Sequence, residues 1–528
     1  MKTREQIVAG KTSLGIELGS TRIKAILVGD NPNEVFAVGS FEWENTLVDG
    51  LWSYPLDEVW TGIQEAFQDL QQDLEKNHGV RIRKLSSIGI SAMMHGYLAF
   101  DENYELLVPF RTWRNTNTQA ASDQLTELFG MNIPLRWSIA HLQQVIIDKE
   151  PHVSKIDFLT TLAGYVHHKL TGERVLGIGD ASGMFPIDPT TKNYDQQMVE
   201  KFRQIESSSD LSKDLLEIMP RVLLAGDNAG ELSLDGARLL DPTGELESGA
   251  LLAPPEGDAG TGMVVTNAIA PSTGNISVGT SIFAMVVMEQ PLSEIHHEID
   301  VVATPVGDSV AMVHCNNGAS ELAAWVSIFD EFAKLSNSQL STDQVYQLLL
   351  NQALHGEVDA GGLLAYNYLA GEPISGLESG RPTTIRTPES NFSLANFMRS
   401  QVFGVFATLS MGMQVLEQEQ VRITQMNAHG GIFKTSGVAQ QLLSAAIDAP
   451  VSVASGASEG GAWGMAILAA FAKSEHSDLS EYLNKQVFAD AETVTITASP
   501  EEVKGFKQYL ERYQAGLSAV QKASEDVG

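Results

Sequence analysis

Asp258 lies in Glu256-Gly-Asp-Ala-Gly-Thr-Gly262, where flanking glycines let a carboxylate come close to both a hydroxyl and a phosphate. Moving a phosphoryl group needs a base on the attacking hydroxyl and an in-line approach more than it needs covalent chemistry. Gly-Asp-Ala-Gly is also good turn chemistry in its own right. What favours function is position, because Asp258 falls between two hairpins that look alike. The first runs Ser13-Leu-Gly-Ile-Glu-Leu-Gly-Ser-Thr-Arg-Ile-Lys-Ala-Ile-Leu-Val28 and the second Asn275-Ile-Ser-Val-Gly-Thr-Ser-Ile-Phe-Ala-Met-Val-Val287. Each reads as a strand, a tight Gly-Ser/Thr turn and a β-branched return strand.

Glycine in such a turn lets backbone N–H groups approach an anion. In the first hairpin Gly19, Ser20, Thr21 and Lys24 suit phosphates, and Glu17 at the strand end suits a hydrated Mg²⁺. The plain alternative is an ordinary hairpin with a solvated acid. Gly279, Thr280 and Ser281 repeat the chemistry with amides and two hydroxyls. Met94-His95-Gly96 follows the strand Ile88-Gly-Ile-Ser91, and Trp113-Arg114-Asn115 adds an aromatic plate and polar donors of the kind that recognise a polyol. Late in the chain, Gly430-Gly431 and Glu459-Gly460-Gly461 offer bare backbone against which an adenine and ribose can lie; close helix packing through small residues would use the same glycines. Gly10-Lys11-Thr12 imitates the end of a Walker A loop, but the required earlier glycine is Glu5 and the segment precedes a strand, so it is set aside.

These groups need a scaffold. A chain of 528 residues exceeds one ordinary core, and 43% hydrophobic with 19% charged residues is normal for a globular protein. The net charge of -32 weighs against nucleic acid and anionic membranes as partners. The single Cys315 rules out an internal disulfide and a multi-cysteine zinc site, and reads as a small core residue. Met1–Thr12 lacks an apolar signal core, and the apolar run near Gly461–Ala472 is too short to span a bilayer, so a cytoplasmic protein is expected. Strands are expected at Leu85–Ser91 and Leu98–Asp101. Helices are expected at Leu56–Glu75, Asn117–Leu128, Leu159–Leu170 and Gln196–Ile205, with a last one opening at Ser499-Pro500. The alternation gives an α/β class. The Pro/Gly-rich segment from Leu251 to Gly262 is the expected domain boundary, dividing the chain into 1–265 and 266–528.

In order and spacing these elements resemble the FGGY family of carbohydrate kinases over roughly Leu14 to Ala472. Leu14–Lys24 looks like the family's first phosphate motif and Gly279-Thr280-Ser281 like its second. Ser91–Phe100 and Arg111–Asn117 look like the sugar-binding segments, Gly257-Asp258-Ala259 like the catalytic-base motif, and Gly430-Gly431 with Glu459-Gly460-Gly461 like the adenosine motif. Tyr368-Leu-Ala-Gly-Glu-Pro373 resembles a family signature with its Arg missing. The resemblance implies two actin/ribonuclease-H-like domains with a catalytic cleft between them, using ATP and Mg²⁺ on a small-molecule sugar. A second copy of the chain is the one protein partner it suggests. Asp258 would take the proton of the sugar's terminal hydroxyl as that oxygen attacks the γ-phosphate. Glu17 stands where the family usually has Asp. Met93 precedes Met-His-Gly where xylulose kinases often have Gln. A basic residue, Arg114, follows the Trp as in ribulokinases. The expected substrate is a ketopentose, L-ribulose ahead of D-xylulose. The alternatives are a degenerate kinase acting as a sugar- or nucleotide-binding regulator and an actin-like ATPase.

Overall fold

A computed structural model describes residues 3–454 and 460–527. The chain forms two compact units. The first comprises Met1–Ile269, Val301–Val310 and Ala457–Asp490; the second comprises Ala270–Asp300, Ala311–Gly456 and Ala491–Gly528. The sequence stretch 266–528 is therefore shared, its segment Ala457–Asp490 clustering with the first unit.

The first unit is organised by a six-stranded sheet with strands Leu251–Leu252, Ser87–Ala92, Ser13–Leu18, Arg22–Val28 and Val35–Glu42 in spatial order, and Glu256–Gly257 also on Ser87–Ala92. The first three strands of the chain here form an antiparallel meander, and Ser87–Ala92 joins Ser13–Leu18 in parallel. Near-continuous burial of Ser13–Leu18 and Ser87–Ala92 reflects cover on both faces. One cover is the helix Leu56–His78, three residues longer than expected and closed by Gly79 at φ 64°. The other is the helix Gly461–Lys473. Gly15 and Gly89 admit it: a β-carbon on Gly15 would lie 2.0 Å from the Ala462 carbonyl, and one on Gly89 2.6 Å from the Met465 side chain. This close seating, together with the apolar face of Ala462 and Ala466 against Ile26 and Val28, draws the segment back to the first sheet.

The second unit repeats the plan. Its seven-stranded sheet runs Ile299–Ala303, Ser309–Cys315, Ile282–Val287, Thr273–Val278, Gln425–Gly430, Val451–Ala454 and Thr493–Ile496 in spatial order. Thr273–Val278 pairs antiparallel with Ile282–Val287 and parallel with Gln425–Gly430, as Ser13–Leu18 pairs with its neighbours. The repeated order is that of the actin/ribonuclease-H-like class. Cys315 is a buried free thiol, as expected.

Two expected elements differ. The stretch Leu159–Leu170 opens as strand Phe158–Thr160, paired with Leu98–Phe100, and Thr161 then caps the helix Leu162–Thr171 by accepting the Gly164 N–H. Asp258 stands at the start of the helix Asp258–Val265, which follows strand Glu256–Gly257, and not in a turn between domains. Extended Gly257 (φ -79°, ψ 161°) gives the helix its entry. No helix among the described residues is long and apolar enough to cross a membrane.

Candidate active site

Three of the motifs share one edge of the first sheet. Glu17 lies opposite Ser91 in parallel register, and Ser91 lies opposite Glu256. The Gly19 turn, the Met94-His95-Gly96 segment and Asp258 thus all follow the carboxyl ends of neighbouring parallel strands, where α/β sheets bind ligands. Asp258 is solvent-accessible although protein surrounds it closely, and this crowding raises its proton affinity. The N–H groups of Met94 (3.3 Å) and Ala259 (3.0 Å) donate to its Oδ1 and oppose that rise, as does the charge of Arg136. The result is an oriented carboxyl that can hold a proton in transit.

Glu17 is half-buried opposite Lys24. Its Oε2 accepts the N–H of Ala462 at 3.2 Å, so it caps a helix that begins more than four hundred residues later in the chain. Gly461 makes room: a β-carbon there would stand 2.3 Å from Glu17 Oε1. Burial, and then the negative charge of Asp258, raise the Glu17 proton affinity. Repulsion between these two carboxylates favours a cation nearby, and the amides of Gly461 and Ala462 leave lone pairs on Glu17 to spare. Among the described residues no group of three or more His, Cys, Asp or Glu side chains could hold a metal. Glu17 could offer one carboxylate to an Mg²⁺ whose other ligands are water and phosphate oxygens.

The first turn is held through its carbonyls. The Gly19 carbonyl accepts the Trp43 indole N–H (2.7 Å), the Ser20 carbonyl the Tyr54 hydroxyl (2.7 Å) and the Thr21 carbonyl the Trp43 N–H (3.2 Å). With the carbonyls turned to the protein, planar trans peptides aim the following N–H groups the other way. In the second unit, Gly279 and Thr280 carbonyls accept N–H groups of Ala319 (2.9 Å) and Gly318 (2.7 Å), orienting the Gly279-Thr280-Ser281 turn by the same device. Gly430, in register with Val278, sits so close to it that a β-carbon would be 2.1 Å from the Val278 carbonyl; among the described residues nothing lies within 4 Å of the same position on Gly431. Gly431 therefore presents open backbone beside the turn. Gly460 and Gly461 belong to the first unit, against Glu17, while Glu459 lies outside the described residues.

His95 (φ 70°) and Gly96 (φ 89°) both take left-handed backbone. His95 is buried and stacked near Trp137, and its Nδ1–H donates to the Gly183 carbonyl at 3.2 Å, since a carbonyl can only accept. Burial and the Arg136 charge push its pKa down to about 3, so the imidazole is neutral and its Nε2 is an acceptor. Trp113 is 38% exposed. Asn115 is engaged elsewhere: its carboxamide pairs with the Trp52 backbone N–H and C=O (2.8 Å each) and with the Thr112 carbonyl (3.1 Å). Arg114 stacks 3.9 Å over the Trp52 ring and donates to Asn45 at 2.9 Å. Both fasten the segment to its neighbours. Local pattern did not single out Asp180, Glu256 or His141, all buried in this unit; His141 has neither ring nitrogen bonded among the described residues. Only their long-range burial makes them conspicuous.

A duplicated ribonuclease-H-like plan with one Gly-Ser/Thr turn per unit fits a sugar kinase and an actin-like ATPase alike. Comparison with known proteins gives the family. Residues 12–241 match the N-terminal domain of the FGGY family of carbohydrate kinases and residues 274–473 its C-terminal domain. The chain belongs to that family and is an ATP-dependent carbohydrate kinase. It is 23% identical over 520 residues to a xylulose kinase of Haemophilus influenzae, covering 96% of this chain and 99% of that protein. In fold it is similar to the ligand-bound xylulose kinase of Lactobacillus acidophilus, with a TM-score of 0.77, 18% identity, and 98% of this chain and 99% of that one covered. The gluconate kinase of the same organism matches with a TM-score of 0.76, 19% identity, and 97% and 99% covered.

Proposed function

We propose that the protein phosphorylates a ketopentose at its terminal hydroxyl, with ATP as donor and Asp258 as the base. The observation that carries this is the carboxyl of Asp258, fixed by the Met94 and Ala259 amides beside the Met94-His95-Gly96 segment and coupled in charge to Glu17. A hydroxyl donating to His95 Nε2 is steadied while a neighbouring hydroxyl gives its proton to Asp258. Trp113 offers an apolar face to the sugar carbons. The amides of Ser20 and Thr21, with Lys24, and those of Thr280 and Ser281 hold phosphate oxygens, since the Gly19 and Gly279 amides close their own turns, and the open backbone at Gly431 accepts the nucleoside. Mg²⁺, when bound near Glu17, would offset negative charge on the phosphates.

D-xylulose is placed ahead of L-ribulose, reversing the order expected from sequence. Arg114 was the residue favouring ribulose, and its guanidinium is held by Trp52 and Asn45. The xylulose kinases named above support the same order; the similar gluconate kinase makes an aldonate the competing substrate class. ADP release measured with D-xylulose, L-ribulose, D-gluconate and glycerol decides the matter. Turnover highest on D-xylulose is expected; stimulation by D-gluconate alone would overturn the ketopentose reading.

A further inference from the structure

Behind Asp258 lie two carboxyls removed from solvent, Asp180 and Glu256. Glu256 occupies a seat made by glycines: a β-carbon on Gly177 or Gly179 would stand 2.3 Å from one of its carboxyl oxygens, and one on Gly260 3.2 Å. The N–H groups of Gly179 (3.3 Å) and Asp180 (3.0 Å) donate to it. Asp180 in turn receives the Thr161 hydroxyl on Oδ2 at 2.6 Å. Its Oδ1 is buried with no hydrogen-bond partner among the described residues, and stands 3.4 Å from where a Gly257 β-carbon would be. The strand residue next to Asp258 is thus flanked by a bare carboxyl oxygen, and the residue before that is tied to the same Asp180 through its amide.

We propose that Asp180 is a positioning residue for the phosphoryl transfer, setting both the place and the basicity of Asp258 through the buried Asp180–Glu256 pair. The inference rests on Asp258 being the base. Two neighbouring carboxyls in a dry setting do not both ionise readily, so the pair retains a proton, and its state decides how much negative charge stands behind Asp258. Burial comes first in raising both groups, Asp180 to about 7 and Glu256 to about 8, with the charges of Asp258 and Asp180 adding respectively. Around the pair stand Thr161, Asp258 and Tyr194, whose hydroxyl is also buried without a partner among the described residues; Glu17 and Arg136 stand near Asp258 itself, and His95 near Arg136. His95 stays neutral and Tyr194 stays protonated through this range, which leaves the pair to change charge near neutrality. As pH rises and Asp180 ionises, its charge strengthens Asp258 as a base.

The test is the pH dependence of kcat from 5.5 to 9 in full-length wild type, Asp180→Asn, Thr161→Val and Asp258→Asn. Wild type should show an inflection near pH 7. Asp180→Asn should lose it and run about tenfold slower at pH 8, the effect of about one unit in the proton affinity of the base, with the KM for ATP within twofold. Thr161→Val, lacking the donor to Oδ2, should move the inflection to higher pH. Thermal melting at pH 6 and 8.5 reports the pair without activity, and Asp180→Asn should narrow the difference. An Asp180→Asn enzyme with the wild-type inflection and rate overturns the proposal, as does an unmoved inflection in Thr161→Val should the first variant not fold. Full activity in Asp258→Asn would instead overturn the base assignment.

Discussion

Replacing Gly461 by Ala tests the link between the first hairpin and the late helix, and the sign of the effect is informative. Gly461 is the first residue of the helix Gly461–Lys473 and has no left-handed φ, so nothing in its backbone objects to alanine. Alanine is the better helix former, by about 1 kcal/mol, and would stabilise the protein if the space were open. It is not open: the new β-carbon would stand 2.3 Å from Glu17 Oε1, 2.8 Å from Glu17 Cδ and 2.8 Å from Thr261 Oγ1. Relief requires Glu17 to withdraw, giving up its hydrogen bond from Ala462. A lost charged hydrogen bond costs roughly 1.5–3 kcal/mol and overpacking roughly 1–3 kcal/mol, so a net destabilisation of about 2–4 kcal/mol is expected. Melting by circular dichroism and urea titration measure it, and the KM for ATP should rise because Glu17 adjoins the phosphate turn. The double variant with Glu17→Asp, one methylene shorter, should recover part of the loss, a coupling that a double-mutant cycle isolates. A Gly461→Ala protein as stable as wild type, or more so, would refute the seating of Glu17 against this helix.

Arg114→Ala should leave the KM for sugar within about threefold, because its guanidinium is held by Trp52 and Asn45; a loss of about a hundredfold would show direct sugar contact. Gly96→Ala should destabilise by about 2 kcal/mol or more in melting experiments, since φ is 89° and a β-carbon would meet the Arg111 carbonyl at 2.7 Å. Stability should pass through a maximum near pH 6–7. On the acid side, His95 and His141 are held neutral down to about 3 and His167 to about 4, so unfolding gains protons as pH falls below 6.5. On the alkaline side, Asp180 and Glu256 keep protons in the folded state up to about 7 and 8, and their contribution is lost as pH rises through those values. A Tm still rising from pH 7 to 8.5 would contradict this. Chelation of divalent cations should abolish ADP release and added Mg²⁺ restore it; turnover unaffected by chelation would contradict an Mg²⁺ near Glu17.

Local pattern in the sequence reached the hairpins, the strand before Met94-His95-Gly96 and the capped helix at Ser499-Pro500, because each is written in neighbouring residues: alternation, a glycine turn, a cap. It reached Asp258 through chain position, but read a helix start as a turn, since Gly-Asp-Ala-Gly satisfies both and only the pairing of Glu256–Gly257 on Ser87–Ala92 decides. What stayed hidden depends on partners distant in the chain. Glu17 reads as an acid suited to Mg²⁺ or as a solvated one, and its tie to the late helix stays hidden until Ala462 arrives to donate to it. Asn115 reads as a sugar donor until Trp52 claims its carboxamide. Asp180 carries no motif and Glu256 reads only as the first residue of the Asp258 segment; burial makes both significant.

Asp258 is proposed to take the proton of the attacking hydroxyl. The most direct test is ADP release by Asp258→Asn with saturating D-xylulose and ATP, alongside binding of a non-hydrolysable ATP analogue followed by its effect on Tm. Asparagine keeps an oxygen for the Met94 and Ala259 amides, so the fold and nucleotide binding should persist while turnover falls by roughly 10² to 10⁴ for loss of a positioned base. Turnover within twofold of wild type would contradict the account.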